Sequence, residues 1–201
     1  MEQRIDERRL TTIVTADVVG FARLMSDDEA GTLTALKAHR KELIEPKISQ
    51  YNGRTVKLMG DGELMEFGSV VDAVHFAVEV QYAMRHRNIA IPENRQIVYR
   101  IGTNIGDIIV DGADIYGEGV NLAARLEGLA EPGGICVARS VFNQVKGKLD
   151  LNFEHLGDKT VKNIPEPVSV YQVVMDAKAE RLITELRPIA SPRSARQMLT
   201  V

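Results

Sequence analysis

The sequence predicts an α+β fold of ferredoxin-like order, βαββαβ, with helices flanking an antiparallel sheet and an extra C-terminal βαββ subdomain. Three observations lead there. In "VKLMGDGELMEFG", Val56 to Gly68, two apolar runs meet at a Gly-Asp-Gly bend, and Asp-Gly is among the commonest two-residue hairpin turns. A long pattern of helical spacing stands on each side of that hairpin. Runs rich in β-branched residues, "LTTIVTADVVGF" and "RQIVYRIGTNIGDIIVDG", precede and follow the helices.

The elements follow in order. "LTTIVTADVVGF" is a first strand ending near Val18. Ser26 and Glu29 in "SDDE" have capping-box spacing. Leu33, Leu36, Leu43, Ile44 and Ile48 then recur at helical spacing until Asn52-Gly53 stops the helix. The hairpin supplies strands over 55–59 and 63–67. Ser69 and Asp72 repeat the cap pattern before a second helix whose apolar face is Ala73, Phe76, Ala77, Val80, Ala83 and Met84. In the long strand that follows, Gly102 and Gly106 mark bends or a close backbone approach. A helix over 119–130, the turn "EPGG", a strand at 135–138, a helix at 139–146 and strands near 151–156 and 168–174 complete the array. From Ala177 onward, "RPIASPRSARQMLTV" with its two prolines reads as a tail or linker. The expected organisation is an N-terminal tail 1–8, one domain 9–175, and a C-terminal tail or linker 176–201.

Composition excludes several classes. A net charge of -3 and a pI near 5.9 argue against a general nucleic-acid or membrane-surface binder. The single cysteine, Cys136, excludes an internal disulfide framework. "MEQRIDERRLTT" has no apolar signal region, and "VVDAVHFAVEV" is too short to cross a bilayer and is interrupted by Asp72, His75 and Glu79. A cytoplasmic protein without a membrane segment is expected.

Two stretches carry chemistry. In this strand order the first strand neighbours the hairpin, so Asp17, which closes strand 1, can approach Asp61 at the hairpin tip. Two ionised carboxylates about 4 Å apart repel by roughly 4 kcal/mol at an effective dielectric near 20. Such a pair needs a cation or a shared proton, and Mg²⁺ is typically held by one or two carboxylates plus substrate phosphates. The plainer alternative makes Asp17 a loop cap and Asp61 a turn former. The second stretch is "ADIYGEGVNLAARLEGLAEPGG". Leu122, Leu126 and Leu129 point to the core, while Asn121 and Arg125, four apart, share another face. The arginine can grip a phosphate and the asparagine a sugar hydroxyl. The plainer alternative is a solvated Arg125 paired with Glu118 or Glu127.

With "TADVVGF", "VKLMGDGELMEF", "RIGTNIGDIIV", "DIYGEGVNLAARLEGLAEPGGICV" and "VKNIPEPVSVYQV" in order, the chain resembles a class III nucleotidyl cyclase catalytic domain of the bacterial adenylate cyclase type, over about Arg9 to Val174. The resemblance implies the cyclase fold and two divalent cations per site, Mg²⁺ or Mn²⁺. Asp17 and Asp61 match the metal-binding aspartates, with the Val18 carbonyl as auxiliary ligand. Gly20 and Phe21 match the backbone that meets the terminal phosphates. Lys57 and Asp114 fall at the purine-selecting positions, Asn121 at the ribose-orienting asparagine and Arg125 at the transition-state arginine. Lys162 falls where a phosphate-contacting lysine is expected.

At the purine positions chemistry chooses ATP. Adenine offers an acceptor at N1 and an amino donor at C6, which suit Lys57 and Asp114; guanine reverses both, and each mismatched buried group costs about 1–3 kcal/mol. The implied reaction is ATP to 3′,5′-cyclic AMP and pyrophosphate by two-metal-assisted attack of the 3′-hydroxyl on the α-phosphate. The family pairs two domains head to tail, each site taking its aspartates from one and its purine pair, Asn and Arg from the other. This chain holds both halves, so a homodimer with two composite sites is expected. Between "GDIIV" and "DIYG" only Asp111, Gly112 and Ala113 stand, so the arm is short and lacks the phosphate-reaching arginine of many relatives. The alternatives are a catalytically weak regulatory or binding module, a guanylate cyclase, and another palm-like two-metal enzyme, whose hallmark motifs are absent.

Overall fold

The computed structural model describes residues 7–161, 164 and 166–186. In chain order these form β1 (Glu7–Val18), α1 (Phe21–Asp27), α2 (Glu29–His39), a π-helical turn (Arg40–Ile44), α3 (Glu45–Gln50), β2 (Gly53–Met59) and β3 (Gly62–Phe67). Then come α4 (Val70–Asn88), a 3₁₀ turn (Glu93–Arg95), β4 (Tyr99–Asp111), β5 (Asp114–Tyr116) and α5 (Glu118–Leu129). β6 (Ile135–Ala138), α6 (Arg139–Val145), β7 (Phe153–Lys159), β8 (Val168–Val173) and α7 (Ala177–Leu186) close the chain.

The strands form one sheet in the order β2-β3-β1-β4-β6-β8-β7, with β5 folded back on β4. Among these strands β4 and β6 pair in parallel and the other pairings are antiparallel. The first four strands in the order β2-β3-β1-β4 realise the ferredoxin-like expectation, and β6-α6-β7-β8 is the appended unit.

Side-chain alternation divides β1 between two cores. Val14, Ala16 and Val18 join the larger one, with Leu36, Phe67, Phe76 and Val141. Ile13 points the other way, to Leu64, Ile108, Ile115 and Ala123 under α5 and β5. Thr15 and Asp17 therefore lie on the α5 side of the sheet. Gly102 allows α5 to lie directly on β4: a Cβ there would stand 2.2 Å from Ala123 O and 2.3 Å from Glu127 N. The expected close approach at the interior glycines is an approach of this helix.

Four local expectations are corrected. Ser26 is not the cap of the second helix; it lies in the unpredicted α1, its hydroxyl donates to Ala22 O at 2.9 Å, and Asp28 caps α2 by accepting from Gly31 N. The helix expected from there to Asn52 is interrupted. Pro46 has no N–H to give, and Glu45 N–H reaches back five residues to Arg40 O, making a π turn. Glu7 and Arg8, expected in a tail, pair with Val110 and Ile109. Ala177 does not begin an irregular tail. Asp176 Oδ1 accepts from Lys178 N and Ala179 N, starting α7, and Ala179 and Ile183 are buried in the larger core. Residues 187–201 lie outside the described residues. No helix of the described residues is long and apolar enough to cross a membrane.

Candidate active site

The β1–β3 register, Ala16 against Glu63, sets Asp17 beside the hairpin tip that carries Asp61. The two carboxyl groups meet: burial and then the hydrogen bond and charge of Asp61 push the Asp17 carboxyl up, against the Arg100 guanidinium and the Val18 N–H. Arg100 stands directly opposite Asp17 on β4, with Nη2 3.5 Å from Asp17 Oδ2 and 3.8 Å from Glu127 Oε1. Glu127, on α5, is pushed up to about 7, first by burial and then by Asp17. Two acids, Asp17 and Glu127, thus face one guanidinium, with Asp61 beside Asp17. Two hard oxygen donors that repel one another in the bare protein fit a divalent cation. Among the described residues no group of three or more His, Cys, Asp or Glu forms a metal site. Backbone, water and substrate oxygens would complete the coordination.

Val18 lies in the core, and its N–H is turned toward Asp17. Gly20 adopts a left-handed conformation (φ 65°) and accepts from Arg23 N at 3.0 Å and Leu24 N at 3.1 Å, which opens α1 at Phe21. The first amides of that helix have no carbonyl partner within it.

The purine-selecting candidates meet across the fold. Lys57 Nζ donates to Asp114 Oδ2 at 2.7 Å, and Asp114 also accepts from Tyr116 OH at 3.0 Å and Ile115 N at 2.9 Å. The short arm expected between β4 and α5 is a tight hairpin that leans over to β2. Arg54 clamps it, donating to Ala113 O at 2.9 Å while pairing with Glu66. The Lys57 hydrogen bond lowers the Asp114 carboxyl, and the Asp114 hydrogen bond raises the Lys57 ammonium. Lys57 is half exposed, and such a surface pair adds little to stability.

Asn121 and Arg125 lie exposed on one face of α5. Neither side chain has a hydrogen bond or ion pair among the described residues, and Glu127 turns to Arg100 rather than to Arg125. Lys162 lies outside the described residues. The chain therefore brings Asp17 to Asp61 and Lys57 to Asp114. No hydrogen bond or ion pair among the described residues joins these two pairs to one another or to Asn121 and Arg125.

The sequence reading missed Arg100, Glu127 and Arg40. The first two face the aspartates only because of the β1–β4 register and the seat of α5. Arg40, whose Nη2 donates to Gly60 O at 2.7 Å beside Asp61, sits in an unremarkable charged run, "HRKE". The pattern visible in sequence was Arg100 and Gly102 on one side of an alternating strand, which places both under α5.

The model of the adenylate and guanylate cyclase catalytic domain family matches residues 4–175. A putative adenylate cyclase 3 of Rhizobium meliloti (strain 1021) is 47% identical over 164 residues, which cover 82% of this chain and 28% of that protein. An adenylate cyclase of Streptomyces coelicolor is 30% identical over 140 residues, covering 68% of this chain and 34% of that protein. The chain spans about a third or less of each of these relatives. Among solved structures, an adenylate/guanylate cyclase/hydrolase from Silicibacter pomeroyi superposes with a TM-score of 0.80 at 45% identity, covering 85% of this chain and 99% of that one. The adenylyl cyclase CyaB from P. aeruginosa gives 0.72 at 28% identity, covering 84% and 95%.

Proposed function

Because the chain belongs to the adenylate and guanylate cyclase catalytic domain family, we propose that it is an adenylate cyclase that converts ATP to 3′,5′-cyclic AMP and pyrophosphate in composite sites of a head-to-tail homodimer. The observation that carries this reading is the meeting of Asp17 and Asp61, two carboxyl groups brought within hydrogen-bonding reach at the end of β1. With them, two divalent cations would supply Lewis-acid activation of the 3′-hydroxyl and charge neutralisation at the leaving pyrophosphate.

The remaining steps belong to side chains. Lys57 Nζ donates to adenine N1 and Asp114 accepts from the amino group, so the ion pair between them opens around the base. The two groups are 2.7 Å apart, with Lys57 half exposed and Asp114 partly buried, so donor and acceptor already stand side by side. Asn121 orients the ribose, and Arg125 donates to the α-phosphate oxygens as their charge grows; arginines of this kind contribute about 10³–10⁵-fold in phosphoryl transfer. The Gly20–Phe21 backbone receives the terminal phosphates, and the family resemblance assigns Lys162 a further phosphate contact. The homodimer is supported by the exposed Asn121 and Arg125, whose side chains have no hydrogen bond or ion pair among the described residues. It is also supported by the apolar groups around the purine pair, Leu58, Met59 and Tyr116, each about half exposed.

Two measurements test this. Product formation from ATP and from GTP with Mg²⁺ or Mn²⁺ distinguishes an adenylate cyclase from a guanylate cyclase and from an inactive module. Mixing Asp17→Ala chains with Asn121→Ala chains regenerates one intact composite site per heterodimer, so activity returns. Proven subunit exchange without recovery refutes the shared-site arrangement.

A further inference from the structure

The turn that carries Asp61 is open on its Gly60 side. Gly60 and Gly62 flank the aspartate, Gly60 has a left-handed φ of 69°, and a Cβ at Gly60 would find no atom within 4 Å. Packing around Gly60 does not hold this tip. One side chain does. Arg40 Nη2 donates to Gly60 O at 2.7 Å and to Gly62 O at 3.3 Å, the carbonyls on either side of Asp61.

We propose that Arg40 is a positioning residue that fixes the hairpin tip so that the Asp61 carboxylate faces Asp17 before a cation binds. The inference rests on reading Asp17 and Asp61 as the cation site. Two further features support it. Arg40 opens the π-helical turn, whose extra residue rotates the chain relative to a regular helix, and such turns concentrate at functional sites. Glu63, next to the tip, is 3% exposed; Thr55 Oγ1 donates to its Oε1 at 2.7 Å, and the Arg40 charge acts on the same carboxylate. The guanidinium is thus drawn toward a buried acid on β3 while its donors hold the turn. Arg40 grips backbone and not the Asp61 carboxylate, which stays turned toward Asp17.

The test uses the nucleotide-free chain and Mn²⁺ alone, with free Mn²⁺ followed by electron paramagnetic resonance. Amide hydrogen exchange across residues 58–63 is followed in parallel. Arg40→Gln is expected to weaken Mn²⁺ binding about tenfold, the worth of one hydrogen bond from a charged group, and to speed exchange at the tip. Arg40→Lys, which keeps a cation but only a single point of contact, recovers part of both. A merely structural role would lower the melting temperature and leave the Mn²⁺ affinity of the folded protein where it was; affinity within twofold of wild type in Arg40→Gln overturns the proposal. Should Arg40→Gln not fold, the double variant Arg40→Gln/Glu63→Gln removes the buried acid as well, and the same loss of Mn²⁺ affinity is expected of it. Unchanged affinity there overturns the proposal equally. If Mn²⁺ binding in the wild type is absent, or survives Asp61→Asn, the cation site itself is refuted and the role of Arg40 with it. That result is distinct from one in which only Arg40→Gln behaves as wild type.

Discussion

A single methyl group at Gly102 tests how α5 is seated and what that seat does. The Cβ of an alanine there would lie 2.2 Å from Ala123 O, 2.3 Å from Glu127 N and 2.9 Å from Glu127 Cα. Ordinary contact begins at 3.4 Å, so the carbonyl must retreat by about 1.2 Å (3.4 − 2.2). All three neighbours are backbone atoms, and none can rotate aside. The helix itself has to lift. Lifting it loosens Ala123 from Ile13 and Leu64 and carries Asn121 and Arg125 away with it. Overpacking of this kind costs about 1–3 kcal/mol, and a misplacement near 1 Å in a catalytic group costs about 10²-fold in rate. Gly102→Ala is therefore expected to lower the urea midpoint by an amount in that range. It is also expected to cut kcat for cyclic AMP formation about a hundredfold, with the smaller change in KM. Gly128→Ala, on the same helix with nothing within 4 Å of its Cβ, serves as control and gains up to about 1 kcal/mol of helix stability. A Gly102→Ala protein with wild-type midpoint and wild-type kcat would refute the argument for the seat.

Other outcomes follow from the charges. The Asp17 carboxyl is raised chiefly by burial, so its protonated form is favoured in the fold and the metal-free chain loses stability as pH rises through the raised value. Asp17→Asn should melt above wild type at pH 8 without metal, and make no product; melting below wild type contradicts the strained pair. For Glu127, raised from 4.5 to about 7, the stabilising contribution is complete below pH 4.5 and fades as pH climbs to about 7. Urea midpoints at pH 5 and pH 8 should therefore converge in Glu127→Gln relative to wild type, and an unchanged difference refutes the assignment. Exchanging donor and acceptor at the purine positions, as Lys57→Glu with Asp114→Ser, should move the kcat/KM preference from ATP toward GTP. A double variant that loses both nucleotides equally means that the two residues do not read the base.

What could be read from sequence depended on the range of the signal. The hairpin was legible because its turn is spelled by three adjacent residues, and the central strands because their apolar alternation is local. Gly102 and Gly106 announced a close approach but not by what. The capping of α2 was misassigned because Ser26-x-x-Glu29 and Asp28 both satisfy a cap pattern, and only the packing of Leu24 into the core decides that a separate α1 comes first. α7 was hidden by the prolines that follow it, although Ala179 and Ile183 have the four-residue spacing of a buried stripe. In the site, Asp17, Asp61, Lys57 and Asp114 were accessible through motif and pairing order. Arg100 and Glu127 were not, because their roles exist only once β4 is in register with β1 and α5 lies over both. Arg40 was the least legible, since a helix without its π turn presents it elsewhere.

The hairpin of β2 and β3 has Lys57 on one limb and Asp61 at its tip, four positions apart on a two-stranded ribbon held by Arg40 at one end and tied through Lys57 to the β4–β5 arm at the other. In the head-to-tail dimer proposed above, those two positions face different nucleotides. The ribbon is then a seesaw. A tilt that presses Asp61 toward its own phosphates swings Lys57 with it, toward or away from the neighbouring base. Two ATP molecules that never touch would then be linked through one short hairpin.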